Sequence, residues 1–283
     1  TNRRLRFKPW VKNLYENRDY PDNYTDSKFL QHLRKNLYIQ KVTLPEAVLG
    51  SFLVVLRLCL CVMYAVIFVY MYNNWIETHT VIYSSVLFTI ASYILFVCIE
   101  RSEYLKQLKT VLVYLVIGYL VSPILHTLTD TVSTDTIYAI SVIMMLVHLI
   151  FFDYDVPAAI VSKSLSINAA IFASVCLVSR LSSPFDAFIL LTVAVIFFVL
   201  SPQFFKVYLH TRMFLVLFFI TLAMTLGCLY SVSFTLLIYF IVVILVLSLY
   251  CPVMFVKWQK YKDNIHGPWD EAIVNSSDDF DEL

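Results

Sequence analysis

Long runs of apolar residues recur along this sequence and restrict what it can fold into. A run of about 18 or more such residues is long enough to cross the roughly 30 Å hydrocarbon core of a bilayer as a helix. Hydrophobic residues make up 60% of the 283 residues and charged residues only 14%, whereas a soluble domain carries roughly 25% charged residues. The sequence therefore predicts an all-α, multi-pass membrane protein.

Eight transmembrane helices are predicted from these runs. They lie at about 46–72, 79–99, 110–126, 135–152, 160–179, 184–202, 213–230 and 232–256. The predicted domains are a basic, aromatic N-terminal segment (1–44), the transmembrane domain (45–256) and a C-terminal tail with an acidic end (257–283). We expect the first helix to direct membrane insertion, because the residues before it do not resemble a cleavable signal peptide.

The distribution of basic residues predicts the orientation of these helices. If the N-terminus is cytosolic, 19 of the 21 Lys and Arg residues lie on the cytosolic side, Arg180 lies in a lumenal loop, and Arg57 lies inside the first helix. Loops on the cytosolic side of a membrane are enriched in Lys and Arg. Both termini are therefore predicted to be cytosolic, and the lumenal loops are short.

The two terminal segments carry residues that are candidates for contact with a membrane surface or a partner. Asp26 is expected to begin a short amphipathic helix that runs to about Lys41. Such a helix suits an anionic membrane surface, and a partner-binding helix explains the pattern equally well. The candidate docking residues are Trp10, Tyr20, Tyr24, His266, Trp269 and Asp270.

A stripe of polar and aromatic residues distinguishes the fourth predicted helix. Asp135 is expected to be its N-cap. Helical spacing places the rest of the stripe on the same face, namely Tyr138, Ser141, Met145, His148 and Phe152. A helix surrounded only by lipid would not need this stripe. We therefore expect the face to contact other protein, a lipid head group, or both.

Polar residues near the cytosolic ends of the fourth and fifth helices form a candidate lipid head-group site. They are His148, Asp153, Lys163 and Asn168. A phospholipid head group in that leaflet would lie at this depth. A His and an Asp are also compatible with acid–base catalysis, but a histidine in a membrane helix is more often a hydrogen-bonded packing residue.

Arg57 is assigned to the same candidate site, although it lies near the middle of the first helix. A charge at this depth costs roughly 2.5–3.5 kcal/mol on insertion scales, so the side chain is expected to face the bundle or a polar cavity. Two interpretations stay open. One is a contact with a lipid phosphate, and the other, more common, is a structural pair with a neighbouring helix or a partner chain.

Small residues in the fifth predicted helix indicate a close-packing face. Small side chains spaced by four residues let membrane helices approach each other closely. The expected neighbour is the fourth helix, across the short turn at 153–159. The residues of this face are Ser162, Ser166, Ala169, Ala170 and Ala173.

Several classes of function find no support in the sequence. The six Cys residues form no CxxC pair, no glycine-rich nucleotide-binding motif occurs, and a net charge of +1 gives no reason to expect nucleic acid as a partner. No cofactor or metal is therefore predicted. A metal site from His126, Asp130 and Asp135 is conceivable, but helix capping and a hydrated loop explain these residues better.

Five long strings carry a resemblance to a known family. They are YPDNYTD at 20–26, SPILHTLTDTVSTDTIYAISV at 122–142, HLIFFDY at 148–154, AAIVSKSLSINAAIFASVCLVSRL at 158–181 and NIHGPWDEA at 264–272. With these strings the chain resembles the PIG-C family of subunits of the phosphatidylinositol N-acetylglucosaminyltransferase complex. The resemblance spans nearly the whole chain.

This resemblance implies a location in the endoplasmic reticulum membrane. The complex of that family transfers GlcNAc from UDP-GlcNAc to phosphatidylinositol on the cytosolic face, the first step of GPI-anchor synthesis. The glycosyltransferase fold belongs to another subunit, PIG-A. The other implied partners are PIG-H, PIG-P, PIG-Q, PIG-Y and a regulatory subunit of dolichol-phosphate-mannose synthase. The chain itself is then expected to be a non-catalytic scaffold that presents phosphatidylinositol.

Three alternatives stay open beside this hypothesis. A pure assembly scaffold would make no contact with the lipid. A lipid transporter or scramblase would have broken helices in two matching halves, but the sequence shows no internal repeat, and only Pro123 and Pro252 interrupt the predicted helices. An intramembrane enzyme would need clustered acids or a nucleophile–base pair, which the sequence does not offer.

Overall fold

The structure, a computed structural model, describes separate parts of the chain. These are residues 20–21, 24, 34–35, 41–99, 116–125, 131–154, 162–209, 211–262 and 265–266, with the backbone alone described at 34–35, 95–99 and 265–266. Of the candidate residues, Trp10, His126, Asp130, Trp269 and Asp270 lie outside these parts.

Eight helices occupy the described residues, each at the place of one predicted helix. They are α1 (Leu44–Tyr72), α2 (Thr78–Ile99), α3 (Val116–Leu125), α4 (Thr134–Phe151), α5 (Lys163–Val178), α6 (Pro184–Tyr208), α7 (Arg212–Val232) and α8 (Phe234–Tyr261). Five of them, α1, α4, α6, α7 and α8, are long and apolar enough to cross a membrane. The predicted all-α membrane fold is confirmed, and eight crossings remain a prediction.

Hydroxyl side chains mark the starts of three helices. Ser133 caps α4 by accepting a hydrogen bond from the N–H of Thr136, so the prediction of Asp135 as the N-cap was wrong by two residues. The acidic side chain lies instead in the first turn, where it complements the helix dipole. Ser162 caps α5 and Ser183 caps α6 in the same way.

Helices α6 and α8 each contain one π-turn, and both run further than predicted. The π-turns are Ile196–Leu200 and Val246–Tyr250, and a proline follows each after one intervening residue, at Pro202 and Pro252. Proline has no N–H and its ring clashes with the preceding turn of an α-helix. A wider π-turn relieves this clash. Pro202 thus interrupts α6 without ending it, which the predicted boundary at residue 202 missed.

Helix α1 lies at the centre of the helical unit, which comprises residues 44–254. It contacts α4, α6, α7 and the π-turn of α8. Aromatic rings carry two of these contacts, since Phe52 stacks on Phe218 of α7 at 4.7 Å and Tyr64 meets Phe198 of α6 edge-on at 5.3 Å. Helices α4 and α5 form the most extensive pair. This arrangement places the ends of α4, α5 and α6 around α1.

A second unit comprises residues 1–43 and 255–283. Within it, β1 (Arg34–Lys35) pairs antiparallel with β2 (Ile265–His266), Arg34 opposite His266. The amide of Gln259, oriented to satisfy both groups, donates to the carbonyl of Val42 at 3.2 Å and accepts from its N–H at 2.9 Å. The predicted helix from Asp26 to Lys41 therefore does not run through residues 34–35, because pairing with β2 replaces helical hydrogen bonds there. The rest of that prediction lies outside the described residues.

Candidate functional site: a basic cavity beside Arg57

A cavity of about 260 Å³ lies between α1, the residues that follow α4, the start of α5 and the last part of α6. Its apolar wall includes Leu53, Phe152, Ile167, Phe205 and Leu209. Its polar wall, in the described part of the chain, holds three basic side chains, one acidic side chain and three neutral ones. These are Arg57, Lys163, Lys206, Asp153, Tyr154, Ser166 and Gln203. The cavity is therefore apolar on one part of its surface and net positive on another.

Arg57 is the most buried charge of this cavity, with only 4% of its surface exposed. Its Nη1 donates to Ser201 Oγ at 3.1 Å. Its Cζ lies 4.4 Å from the ring centre of Phe152 and 5.7 Å from that of Phe205, both cation–π distances. Among the described residues, no carboxylate lies within ion-pair distance of the guanidinium and its Nε has no acceptor. The cavity thus contains a positive charge with unused donor capacity.

The other basic side chains of the cavity are more accessible. Lys163 Nζ lies 3.0 Å from Asp153 Oδ2, and 70% of the lysine side chain is exposed. An ion pair this exposed contributes at most about 1 kcal/mol. Lys206 is also exposed, near the end of α6. A ligand can therefore compete with Asp153 for Lys163 at little cost to the fold.

Tyr154 closes the end of α4 beside the cavity. Its Oη donates to the carbonyl of Leu149 at 2.8 Å, which satisfies one of the free carbonyls at the helix terminus. Burial raises the pKa of Tyr154, so the phenol stays neutral at physiological pH. It contributes no negative charge that would offset Arg57.

His148 does not line the cavity. It is 1% exposed and packs between α4 and α5. With its proton on Nδ1, the ring donates to the carbonyl of Ser166 at 3.0 Å, and Ser166 Oγ donates back to the carbonyl of His148 at 3.0 Å. The ring also meets Phe198 edge-on at 5.2 Å. This satisfied geometry is that of a packing residue and leaves the imidazole away from any ligand.

The structure thus brings together three of the five predicted head-group residues. Arg57, Asp153 and Lys163 share the cavity, whereas His148 faces α5 and Asn168 lies exposed on α5 outside the lining. Sequence reasoning missed three residues from the last part of α6, because the sequence pattern does not reveal that this part lies beside Arg57 of α1. They are Ser201, Gln203 and Lys206. The one signal available was that Lys206 follows the apolar run of α6 by a few residues.

The remaining candidate residues lie elsewhere. Ser166, Ala169, Ala170 and Ala173 are buried on α5, which packs against α4 and α6. Ser141 Oγ of α4 reaches the carbonyl of Ala173 at 3.4 Å. Ser162 caps α5. The rings of Tyr20 and Tyr24 lie 4.4 Å apart around a turn closed by the Tyr24 N–H on the carbonyl of Pro21. The backbone of His266 belongs to β2.

The cavity is suited to holding an anion. Its single described carboxylate is paired with a lysine, so the described lining offers no free acid–base pair. A buried arginine with unused donors, two accessible lysines and an adjacent apolar wall match a phosphate that carries an apolar substituent.

Comparisons with known proteins agree with one another. The GPI2 family model, described as phosphatidylinositol N-acetylglucosaminyltransferase, matches residues 10–270. A relative from Homo sapiens, named as a subunit of phosphatidylinositol N-acetylglucosaminyltransferase, is 41% identical over 275 residues, covering 94% of this chain and 93% of the relative. The GPI2 subunit of Schizosaccharomyces pombe is 34% identical over 283 residues, covering 94% and 87%. No solved structure matches the chain.

Proposed function

This chain belongs to the GPI2 family of phosphatidylinositol N-acetylglucosaminyltransferase subunits, and we propose that it binds the acceptor lipid, phosphatidylinositol, in the basic cavity and presents it for sugar transfer. Family membership makes the chain a membrane subunit in GPI-anchor biosynthesis. The proposal adds that its role in the complex is non-catalytic and that the lipid contact is direct.

The observation that carries this proposal is that Arg57 is buried and keeps unused hydrogen-bond donors. Burying a charge without a counter-ion is costly. Among the described residues, Arg57 has no carboxylate partner and keeps unused donors in a cavity wall. A phosphodiester supplies the missing negative charge and two acceptor oxygens, which suits the planar fork of a guanidinium. The cost of burial is then offset when the lipid is bound.

The shape of the cavity also suits a membrane lipid. Apolar side chains such as Leu53 and Leu209 can contact the glycerol and acyl chains, while Lys163, Lys206 and Gln203 surround the polar part. Sites for drug-sized molecules usually enclose about 300–1,000 Å³, so a cavity of about 260 Å³ suits a lipid head group better than a nucleotide sugar. This favours the acceptor lipid over the sugar donor.

Sugar transfer is assigned to a partner, for which PIG-A is proposed. The other proposed partners are PIG-H, PIG-P, PIG-Q, PIG-Y and the regulatory subunit of dolichol-phosphate-mannose synthase. We place the cavity at the cytosolic face of the endoplasmic reticulum membrane. The pairing of β1 with β2 supports an even number of crossings, because two tails that share a ladder lie on one side of the membrane.

The test uses the assembled complex with its chain carrying Arg57→Met or Arg57→Lys. Methionine removes the charge, and lysine keeps the charge but loses the fork. A hydrogen bond to a charged group contributes about 1.5–3 kcal/mol. Arg57→Met is therefore expected to raise the apparent KM for phosphatidylinositol roughly 10- to 100-fold, and Arg57→Lys less. The KM for UDP-GlcNAc should not change.

The matched control is Arg212→Met, which removes an exposed arginine at the start of α7 outside the cavity. It is expected to leave both KM values unchanged. Co-purification of the partners is measured for every variant. An Arg57→Met complex that assembles fully and keeps its KM for phosphatidylinositol would refute the lipid contact and leave a pure assembly scaffold.

A further inference from the structure

We propose that Ser201 is a positioning residue that holds the Arg57 guanidinium in place for the lipid phosphate. The inference rests on the proposed function of the cavity and names the residue on which that function depends. Ser201 and Arg57 are 144 residues apart in sequence and both buried, at 6% and 4% exposure. Their contact joins α6 to α1.

The first argument is geometric. Nη1 of Arg57 is held by Ser201 Oγ at 3.1 Å, and the guanidinium carbon lies 4.4 Å from the ring centre of Phe152. A hydrogen bond on one edge and a ring against one side leave the planar group little freedom to rotate. An arginine side chain otherwise loses up to about 2 kcal/mol of rotamer entropy when it is immobilised. A guanidinium that is already held loses less of this entropy on binding a ligand.

The second argument concerns which atom accepts the hydrogen bond that the Ser201 hydroxyl donates. In the π-turn of α6, the N–H of Ser201 bonds to the carbonyl of Ile196. The next residue, Pro202, has no N–H to offer to the carbonyl of Phe197. Ser201 Oγ–H donates to that carbonyl instead. The hydroxyl proton is therefore engaged, and the lone pairs of Oγ are left to accept from Arg57.

The π-turn of α8 provides an internal comparison. There, the N–H of Cys251 bonds to the carbonyl of Val246 and Pro252 follows, so Cys251 occupies the place of Ser201. Cys251 is exposed, whereas Ser201 is buried against Arg57. A π-turn before a proline thus tolerates a thiol, which is a weak donor and a weak acceptor. Serine at position 201 is explained by Arg57 rather than by the turn.

The experiment measures GlcNAc transfer by the assembled complex as the phosphatidylinositol concentration is varied. Ser201→Ala is expected to raise the apparent KM for phosphatidylinositol about tenfold, with kcat and the KM for UDP-GlcNAc unchanged. Ser201→Thr, which keeps the hydroxyl, should restore the KM. The matched control Cys251→Ala alters the same position of the other π-turn and should leave every constant unchanged.

A double variant separates positioning from a general effect on packing. If Ser201 acts through Arg57, Ser201→Ala should add nothing further to the KM of the Arg57→Met complex. An equal additional rise in that background would overturn the inference. If Ser201→Ala prevents assembly, Ser201→Cys replaces it, since the thiol fills the space but accepts only weakly. A wild-type KM for the Cys variant would contradict the proposal.

The outcomes also distinguish this inference from the proposed function. A raised KM for Arg57→Met together with an unchanged KM for Ser201→Ala would leave the lipid site standing and remove the role of Ser201. An unchanged KM for Arg57→Met would remove the lipid site and the positioning role together.

Discussion

Helices α6 and α8 contain the same local structure, a π-turn before a proline, in two different surroundings. Each has a five-residue π-turn, then one small residue, then a proline. In an apolar 18-residue stretch of α6, 50% of the residues are buried. In the corresponding stretch of α8, only 11% are buried. The proline therefore accounts for the form of the turn, and the neighbours of each helix decide whether the turn takes part in a site.

The difference lies in what faces each turn. Phe198 of the α6 turn packs against Tyr64 of α1 and His148 of α4, at 5.3 Å and 5.2 Å. The residues just after that turn line the cavity. The α8 turn also contacts α1, but it exposes Leu249 and Tyr250. Among the described residues, the buried charge of Arg57 contacts the residue that follows the α6 turn.

The largest difference is expected from the aromatic core of the α6 turn. Phe198→Ala should destabilise the protein by about 3 kcal/mol, because it leaves a cavity among α1, α4 and α6. Leu249→Ala in the α8 turn should cost less than about 0.5 kcal/mol, because that side chain is 58% exposed. Unfolding in mixed micelles with increasing SDS measures both. Equal losses would mean that the two turns are packed alike.

A second comparison replaces each proline. Pro202→Ala restores an N–H and removes the ring, which favours a regular α-turn. A regular α-turn holds one residue fewer than a π-turn, so the residues of α6 after the turn should rotate by about 100° about the helix axis. Ser201 should then lose its contact with Arg57, and the KM for phosphatidylinositol should rise about tenfold. Pro252→Ala should leave that KM unchanged. The comparison fails if both substitutions have the same effect on the KM in the assembled complex.

The smallest effect is expected from the lysines that follow the two prolines. Lys206→Gln should raise the KM for phosphatidylinositol roughly two- to fivefold, since an exposed cation contributes about 0.5–1 kcal/mol. Lys257→Gln, after Pro252, should not change it. Measurement at low and high salt adds a control, because the effect of Lys206 should shrink as the ionic strength rises. An effect that salt does not change would show that Lys206 acts other than through its charge.

Much of the fold could be predicted because its signals are local. An apolar run of sufficient length indicates a membrane helix wherever its neighbours lie, so each described helix appeared near its predicted position. The helix ends were less accurate at Asp135 and Pro202, because a cap or a π-turn depends on one or two hydrogen bonds that spacing does not reveal. The strand at residues 34–35 was not predicted because its partner lies more than 200 residues away.

The candidate site could be predicted only in part. Arg57 drew attention because a charge inside a membrane helix is costly, and Asp153 and Lys163 because they flank one short connection. The helical face of His148 was recognised, but α5 rather than a ligand covers it. Ser201, Gln203 and Lys206 enter the site only because α6 packs beside α1.

The sequence by itself determined that this chain is an all-α membrane protein of the GPI2 family, because hydropathy and long shared strings need no knowledge of contacts. Only the tertiary structure decided that Arg57 meets a serine and an aromatic ring. The reason is physical: the environment of a buried charge is supplied by other helices, and their packing depends on every side chain in the bundle.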